Sequence, residues 1–291
     1  METISVVIPT KNRKELLCRA VESVLPQLSF DDEIIIVDDG SSEVNYDFDD
    51  ARVIIIRNNV SLGGAASRNI GSKQAKNDIL MFLDDDDAWE PSKILEQIEV
   101  FNDSRVALVF SGRKVVWDSD LTKPFRYIKP KKEYIEKSDL IACNFIGTTS
   151  SVAIRKSDFI QSGGFDETLK CFQDYDLWMR ILDYGCAKHD GKMNVIYTVF
   201  KEKGMQISRS GDGRHEASME YLLAKYGDDL TRKELKIFRS YLGQVVSKAL
   251  NSSNPKLSIQ YSIRSFMGCP NLTSLKFVIG SVLALFGVVH G

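Results

Sequence analysis

The sequence predicts an α/β protein: a mostly parallel sheet with helices on both faces, followed by a helical C-terminal region. Three observations predict it. Short runs of β-branched and aliphatic residues recur at 4–9, 33–37, 53–56 and 79–83, each the length of a buried strand. Segments with apolar residues at helical spacing alternate with them, and strand–helix alternation through short links implies parallel strands. From about Arg214 onward the pattern is helical, with no strong strand after 195–199.

The first strand, 4–9, is stopped by Pro9, after which Thr10 or Asn12 is placed to cap a helix carrying Leu16, Leu17, Ala20, Val21, Val24 and Leu25. The second, 33–37, ends in Asp38-Asp39-Gly40-Ser41-Ser42, and 53–56 forms a third. The Gly63-Gly64 turn opens a small-residue helix through Ala65, Ala66, Arg68 and Ile70. Residues 79–83 form the fourth strand, and Pro91 starts a helix through Ile94, Leu95 and Ile98. Residues 106–110 continue the sheet, 113–117 read as part of an antiparallel ribbon, and the charged stretch 118–137 as a mobile loop over the site. A strand at 151–154, a short helix at 157–161, a turn at Gly163-Gly164 and a helix at 175–184 complete the pattern.

The chain has 291 residues, 43% hydrophobic and 27% charged, with a net charge of -2. A sizeable core is available, and the overall balance gives no reason to expect a nucleic-acid partner. The charge is unevenly spread. Residues 231–291 hold eight Lys/Arg against one acid, Glu234, so the tail is about +7 and the rest about -9. A basic, partly apolar tail points to an anionic membrane surface. The five cysteines form no CxxC pair, and Met1-Glu2-Thr3-Ile4 begins no signal peptide. They read as reduced thiols of a cytoplasmic protein.

The chemistry concentrates where the fourth strand ends in Asp84-Asp85-Asp86-Asp87. Adjacent carboxylates repel unless a positive charge joins them, and hard divalent cations take such oxygen ligands. An isolated acidic run is ordinarily a solvated turn. This one sits at the carboxyl end of a strand, where open α/β sheets bind ligands, and that favours a metal site.

Six motifs then occur in order over residues 3–185. They are Val7-Ile8-Pro9-Thr10-Lys11-Asn12-Arg13, Ile36-Val37-Asp38-Asp39-Gly40-Ser41-Ser42, Gly63-Gly64-Ala65-Ala66-Ser67-Arg68-Asn69-Ile70-Gly71, Phe82-Leu83-Asp84-Asp85-Asp86-Asp87-Ala88-Trp89, Gly163-Gly164-Phe165-Asp166-Glu167 and Asp174-Tyr175-Asp176-Leu177-Trp178-Met179-Arg180. In this order they resemble the family 2 inverting glycosyltransferases of the bacterial surface-polysaccharide type. The resemblance implies a GT-A, Rossmann-like fold and transfer from a nucleotide sugar. It assigns Pro9, Thr10, Asp39, Arg68, Asp84 and Asp85 to the donor nucleotide, Asp86 to Mn²⁺ or Mg²⁺, and Asp174 to the catalytic base. A carboxylate at Asp39 suits the imide N–H of uracil, so UDP is the expected nucleotide, with dTDP sharing that imide. Gln173 stands where the family usually has Glu, which leaves its acceptor contacts and the tuning of the base open. Gln173, Trp178 and Arg209 (the last within Gln206-Ile207-Ser208-Arg209) are weaker assignments to the acceptor or to a closing loop. Trp178 and Trp89 are expected as sugar platforms or core, and His215 as a surface residue near a helix start.

The expected organisation is a catalytic domain over 1–212 and a helical, basic region over 213–291. Residues 277–289 are uncharged, about 20 Å as a helix, too short to span a bilayer core of about 30 Å. A helix over 272–289 is therefore expected either to dock on the body or to lie on a membrane surface. The resemblance implies a UDP-glucose, UDP-galactose or UDP-GlcNAc donor. Its acceptor would be a polyprenyl-diphosphate-linked saccharide at the inner face of the cell membrane, with a β-linked product in O-antigen or capsule assembly. Two rival readings stand beside it. A sugar-nucleotide pyrophosphorylase needs an early Gly-rich basic loop that Thr10-Lys11-Asn12-Arg13 does not supply. A catalytically inactive relative, binding nucleotide or cation as an assembly partner, is opposed by the intact Asp174.

Overall fold

The computed structural model describes residues 2–43, 46–201 and 212–285. In chain order the elements are β1 (Ile4–Thr10), α1 (Lys14–Val24), β2 (Glu33–Asp38), β3 (Val53–Arg57), α2 (Gly64–Gln74), β4 (Ile79–Phe82), β5 (Ala88–Trp89), α3 (Lys93–Val100), β6 (Val106–Phe110) and β7 (Arg113–Trp117). There follow β8 (Arg126–Ile128), β9 (Tyr134–Ile135), α4 (Lys137–Leu140), β10 (Val152–Arg155), α5 (Lys156–Gln161), α6 (Gln173–Ile181), β11 (Cys186–His189) and β12 (Val195–Val199). Four helices close the chain: α7 (Arg214–Tyr226), α8 (Arg232–Leu250), α9 (Pro255–Gly268) and α10 (Leu272–Leu285).

The chain divides into two compact units. One comprises Met1–Lys137, Phe145–Glu167 and Gln173–Val199; the other comprises Ser138–Asn144, Thr168–Phe172 and Phe200–Gly291. The first unit contains an eight-stranded sheet in the order β3-β2-β1-β4-β10-β6-β11-β9 and a four-stranded sheet β5-β12-β7-β8. In the large sheet β3, β2, β1 and β4 run parallel, β6 and β11 also, and β10 and β9 enter antiparallel. Strand order reverses beside β1: β2 lies on one side and β4 on the other, so their carboxyl ends open a crevice at a topological switch point. Thr10 pairs in register with Asp38, and Val7 with Phe82, so the turns after β1, β2 and β4 arrive at one edge.

Burial explains the strand sequences. Every residue of β2 and β4 is buried, so these central strands carry aliphatic side chains on both faces instead of alternating. β3, at the edge, is only half-buried. α2 lies so close to the sheet that a Cβ on Gly71 would stand 2.4 Å from Val7 Cγ1, which accounts for its run of Ala, Ser and Gly. At Gly40, φ is +74° and a Cβ would meet the backbone of Val60 and Ser61 at 3.1 Å, so the turn after β2 requires glycine.

Several expectations are corrected. Neither Thr10 nor Asn12 caps α1: the N-cap is Arg13, without a side-chain bond. Asn12 adopts φ 55° and its Oδ1 accepts from Ser42 N at 2.8 Å, while the Thr10 hydroxyl donates to Asp85. Both residues tie turns of the crevice together. β7 joins β8 antiparallel but also pairs parallel with β12 in the second sheet. The stretch 118–137 is not simply a loop, since it supplies β8 and β9. These strands are two or three residues long and too polar to show a period. β5 and β11 were likewise missed for their brevity.

Candidate active site

The four carboxylates after β4 part into two directions. Asp85 turns toward β1, accepting from Thr10 Oγ1 at 2.8 Å and from Arg13 Nη1 at 3.2 Å. Asp84, Asp86 and Asp87 turn together, one oxygen of each lying within 4.8 Å of the others. Arg13 Nη1 also reaches Asp86 Oδ2 at 3.1 Å, linking the two groups. Asp84 forms an ion pair with Arg68 Nη2 and accepts from Thr149 Oγ1 at 3.0 Å.

Asp87 is fully buried. Its Oδ2 accepts from Ser150 Oγ at 2.6 Å and its Oδ1 from Thr198 N at 2.9 Å, so it pins the turn to β12 and to the segment before β10. Burial, then the charges of Asp86 and Asp84, raise its pKa. Asp86 differs: among the described residues Arg13 is the one side chain that bonds its carboxylate, while Arg19 Nη1 donates to its main-chain oxygen at 3.2 Å. Burial and the neighbouring Asp84 and Asp85 charges push its pKa up to about 7. These three residues form an all-oxygen, charge-excessive cluster, the donor set that a hard divalent cation takes. Asp86 keeps the most uncommitted lone pairs of the three.

Arg68 is held tightly. A Cβ on Gly64 would lie 3.0 Å from its Nη1, and its guanidinium carbon stands 5.5 Å from the Phe165 ring centroid. Its Nε is buried without a hydrogen-bond partner.

Asp39 follows β2, is 6% exposed, and directs its carboxylate at the main chain that leads into α2. Its Oδ1 accepts from Asn58 Nδ2 at 2.9 Å and Leu62 N at 2.8 Å, its Oδ2 from Ser61 Oγ at 2.7 Å and Gly63 N at 2.9 Å. Burial opposes the charged form, but these four donors prevail and hold its pKa down at about 2. All four lone-pair directions of the carboxylate are taken.

Asp174 stands in the first turn of α6, half-buried. Its Oδ1 accepts from Tyr175 N at 2.7 Å. Among the described residues no donor reaches Oδ2. Burial pushes its pKa up to about 6. The Tyr175 N–H and the charges of Arg68 and Arg113 oppose that rise, and the Asp84 charge adds to it. The same electrostatic field therefore joins Asp174 to the cluster after β4. Gln173 precedes it, half-buried.

Arg113, on β7, went unrecognised in the sequence. Its guanidinium carbon stands 5.7 Å from the Tyr197 ring centroid, and a Cβ on Gly147 would lie 2.9 Å from it. Burial lowers its pKa, against the attraction of Tyr197, Asp87 and Asp174. No ion pair to it forms among the described residues. Arg13, Asp87, Thr149 and Ser150 were missed too. Arg13 and Asp87 stand within the motifs, and that was the available signal; Arg113, Thr149 and Ser150 gave none.

Of the two readings for the tryptophans, burial favours core packing. Trp178 is fully buried and donates from Nε1 to Gly147 O at 3.2 Å. Trp89, 3% exposed, donates to Ser150 O at 2.9 Å. His215 is buried, not a surface residue, with Nδ1 3.6 Å from Cys171 Sγ in the second unit. Pro9 ends β1 beside Thr10, at the crevice. Arg209 lies outside the described residues.

A parallel sheet that reverses beside β1, with the oxygen cluster after β4 at the same edge, makes a crevice of the kind in which open α/β sheets bind ligands. The family model described as "Glycosyl transferase family 2" matches residues 5–162, and the chain belongs to that family. An uncharacterised glycosyltransferase of Haemophilus influenzae is 34% identical over 239 residues, 77% of this chain and 76% of that protein. The Escherichia coli protein WfaP, named a UDP-Glc:α-D-GlcNAc-diphosphoundecaprenol β-1,3-glucosyltransferase, is 32% identical over 204 residues, 68% of this chain and 78% of its own length. Among solved structures, S. aureus TarS in complex with UDP-GlcNAc superposes with a TM-score of 0.62 at 16% identity, covering 98% of this chain and 81% of that one. A mannosyltransferase from Pyrobaculum calidifontis, in complex with GDP-Man and Mn²⁺, gives 0.58 at 14% identity, covering 97% and 80%. These structures share the GT-A fold with this chain.

Proposed function

We propose that the protein is an inverting, divalent-metal-dependent hexosyltransferase. It moves a sugar from a UDP-sugar to a hydroxyl of a polyprenyl-diphosphate-linked saccharide, leaving a β-linkage, in the assembly of O-antigen or capsule repeat units. UDP-glucose is the first donor to test and a GlcNAc-diphosphate-lipid the first acceptor, because WfaP, a relative at 32% identity, carries both in its name. UDP-galactose and UDP-GlcNAc follow. The work is done at the cytoplasmic face of the membrane that holds the acceptor.

The carrying observation is the free Oδ2 of Asp174 beside the carboxylate cluster. Inversion needs one base facing the acceptor hydroxyl, opposite the departing diphosphate. Fixing one oxygen with a helix N–H and leaving the other open fits that task. Asp86 is the assigned metal ligand, with Asp84 alongside it. A cation there would supply Lewis-acid neutralisation of the leaving diphosphate. Arg68 is assigned to the diphosphate, Thr10 and Asp85 to the nucleoside, and Arg113, which forms no ion pair among the described residues, adds a cationic donor toward the substrate. The inactive-relative reading rests on Gln173 alone, which stands where the family usually has Glu, and the intact Asp174 opposes it.

The base carries a pH signature. With metal saturating, so that Asp86 stays ionised, kcat/KM should fall tenfold per pH unit below about 6, where Asp174 becomes protonated, and be flat above. An activity unchanged down to pH 4 would remove Asp174 from the role of base.

Asp39 is assigned to the uracil imide, which requires a lone pair. Of its four donors, only the Ser61 hydroxyl sits on an exposed loop residue with a freely rotating side chain. Ser61→Ala should therefore leave UDP affinity unchanged or tighten it. Asp39→Ala should abolish measurable UDP binding and cost roughly 3 kcal/mol of stability, since it strands several buried donors. Titration calorimetry and thermal melts check both. Weaker UDP binding by Ser61→Ala would show that the base is read elsewhere.

A further inference from the structure

The second unit contains two helix pairs with opposite solvent logic. α8 packs on α7 and buries the large apolar Phe238, Leu242 and Val246, with Phe238 edge-on to Tyr226 of α7. That is the arrangement water enforces. α9 and α10 reverse it. The residues that α9 buries are Ser258, Ser262 and Ser265, and those of α10 are Ser274 and Ser281. Their large apolar side chains face outward instead: Met267 is 75% exposed, Leu272 78% and Ile279 52%, with Leu275, Val282 and Leu285 along the same stripe.

The seam is polar but satisfied. Ser281 Oγ lies 2.9 Å from Ser247 Oγ and 3.0 Å from Ser258 Oγ, and Ser258 donates to Ser247 O at 2.8 Å. Small residues let the helices approach: a Cβ on Gly243 of α8 would stand 2.5 Å from Ser265 Oγ. Small side chains and hydroxyls at the seam, with aliphatic ones outside, are the rule for helices whose solvent is hydrocarbon. Charge agrees. From Leu235 to Gly291 there is no Asp or Glu, and Lys256, Arg264 and Lys276 on α9 and α10 are exposed.

We propose that the outward face of α9 and α10 inserts into one leaflet of an anionic bilayer, with acyl chains covering Leu275, Ile279 and Val282 and lipid headgroups meeting Lys256, Arg264 and Lys276. This deepens, and rests on, the reading that the acceptor is carried on a membrane lipid. α10 has 14 described residues, about 21 Å of helix against a core of about 30 Å, so the insertion is into one leaflet only. No helix among the described residues is long and apolar enough to cross a membrane. A second copy is the poorer occupant, because a two-fold pairing of this face opposes an acid-free basic surface to itself.

The test is flotation of the full chain with vesicles of phosphatidylcholine alone or with added phosphatidylglycerol. The protein should float with the anionic vesicles. Leu275→Glu/Ile279→Glu should cut the bound fraction more than tenfold. Neutralising Lys256, Arg264 and Lys276 to Gln should weaken anionic-vesicle binding by roughly a hundredfold, at about fivefold per cation. These positions are exposed, so melting temperature and UDP binding should be unchanged. Wild type that stays in solution with both vesicles overturns the proposal, as do variants that float like wild type. A soluble dimer that the Glu variants dissolve would give the face to a second copy instead. Transfer to a short-chain, water-soluble acceptor, measured in parallel, keeps the transferase reading separate from this outcome.

Discussion

Asp174→Asn should abolish sugar transfer, by about 10³-fold or more in kcat, while UDP affinity stays within about twofold. The asparagine Oδ1 still accepts from Tyr175 N, so the start of α6 is preserved. What is lost is the free oxygen's ability to take the proton of the acceptor hydroxyl. Binding of the donor nucleotide, assigned to the turns after β1, β2 and β4, does not use that proton. Steady-state transfer and calorimetric UDP binding separate the two. A variant within tenfold of wild type would place the base elsewhere.

Asp86→Asn should produce a loss of similar size by a different route. Removing the least committed carboxylate of the cluster takes away both charge and ligand, so Mn²⁺ affinity should collapse along with transfer, by about 10³-fold. Asp87→Asn is the contrasting variant. Its oxygens are occupied by Ser150 and Thr198 N, so it should lose roughly 1–3 kcal/mol of stability and keep its metal affinity. Mn²⁺ titration of both variants, with thermal melts, checks the distinction. Equal metal affinities for Asp86→Asn and wild type would contradict the assignment.

The parallel half of the large sheet was legible because its strands are buried on both faces, so Ile34, Ile35 and Ile36 stand as an unbroken run. The acidic and Gly-rich turns were legible for a related reason: Gly40 and the Asp run sit where backbone geometry and charge restrict the choice. Arg113 was not legible. Its neighbours Gly147 and Tyr197 reach it from distant segments, and a Lys/Arg-rich strand reads as an exposed edge. Nor did periodicity reveal that Asp39 is saturated, since Asn58, Ser61 and Gly63 look like ordinary turn residues. In α10 the helical spacing was clear in the sequence, but which stripe is buried depends on α8 and α9 supplying serines, which no single-helix pattern records.

The most direct test of the central claim is transfer from UDP-glucose, with UDP-galactose and UDP-GlcNAc alongside, to a synthetic GlcNAc-diphosphate-lipid in Mn²⁺ or EDTA, with the anomeric configuration of the product read by NMR. A β-linked product from one donor, formed in Mn²⁺ and absent in EDTA, is expected. An α-linked product, or transfer undiminished by EDTA, would contradict it.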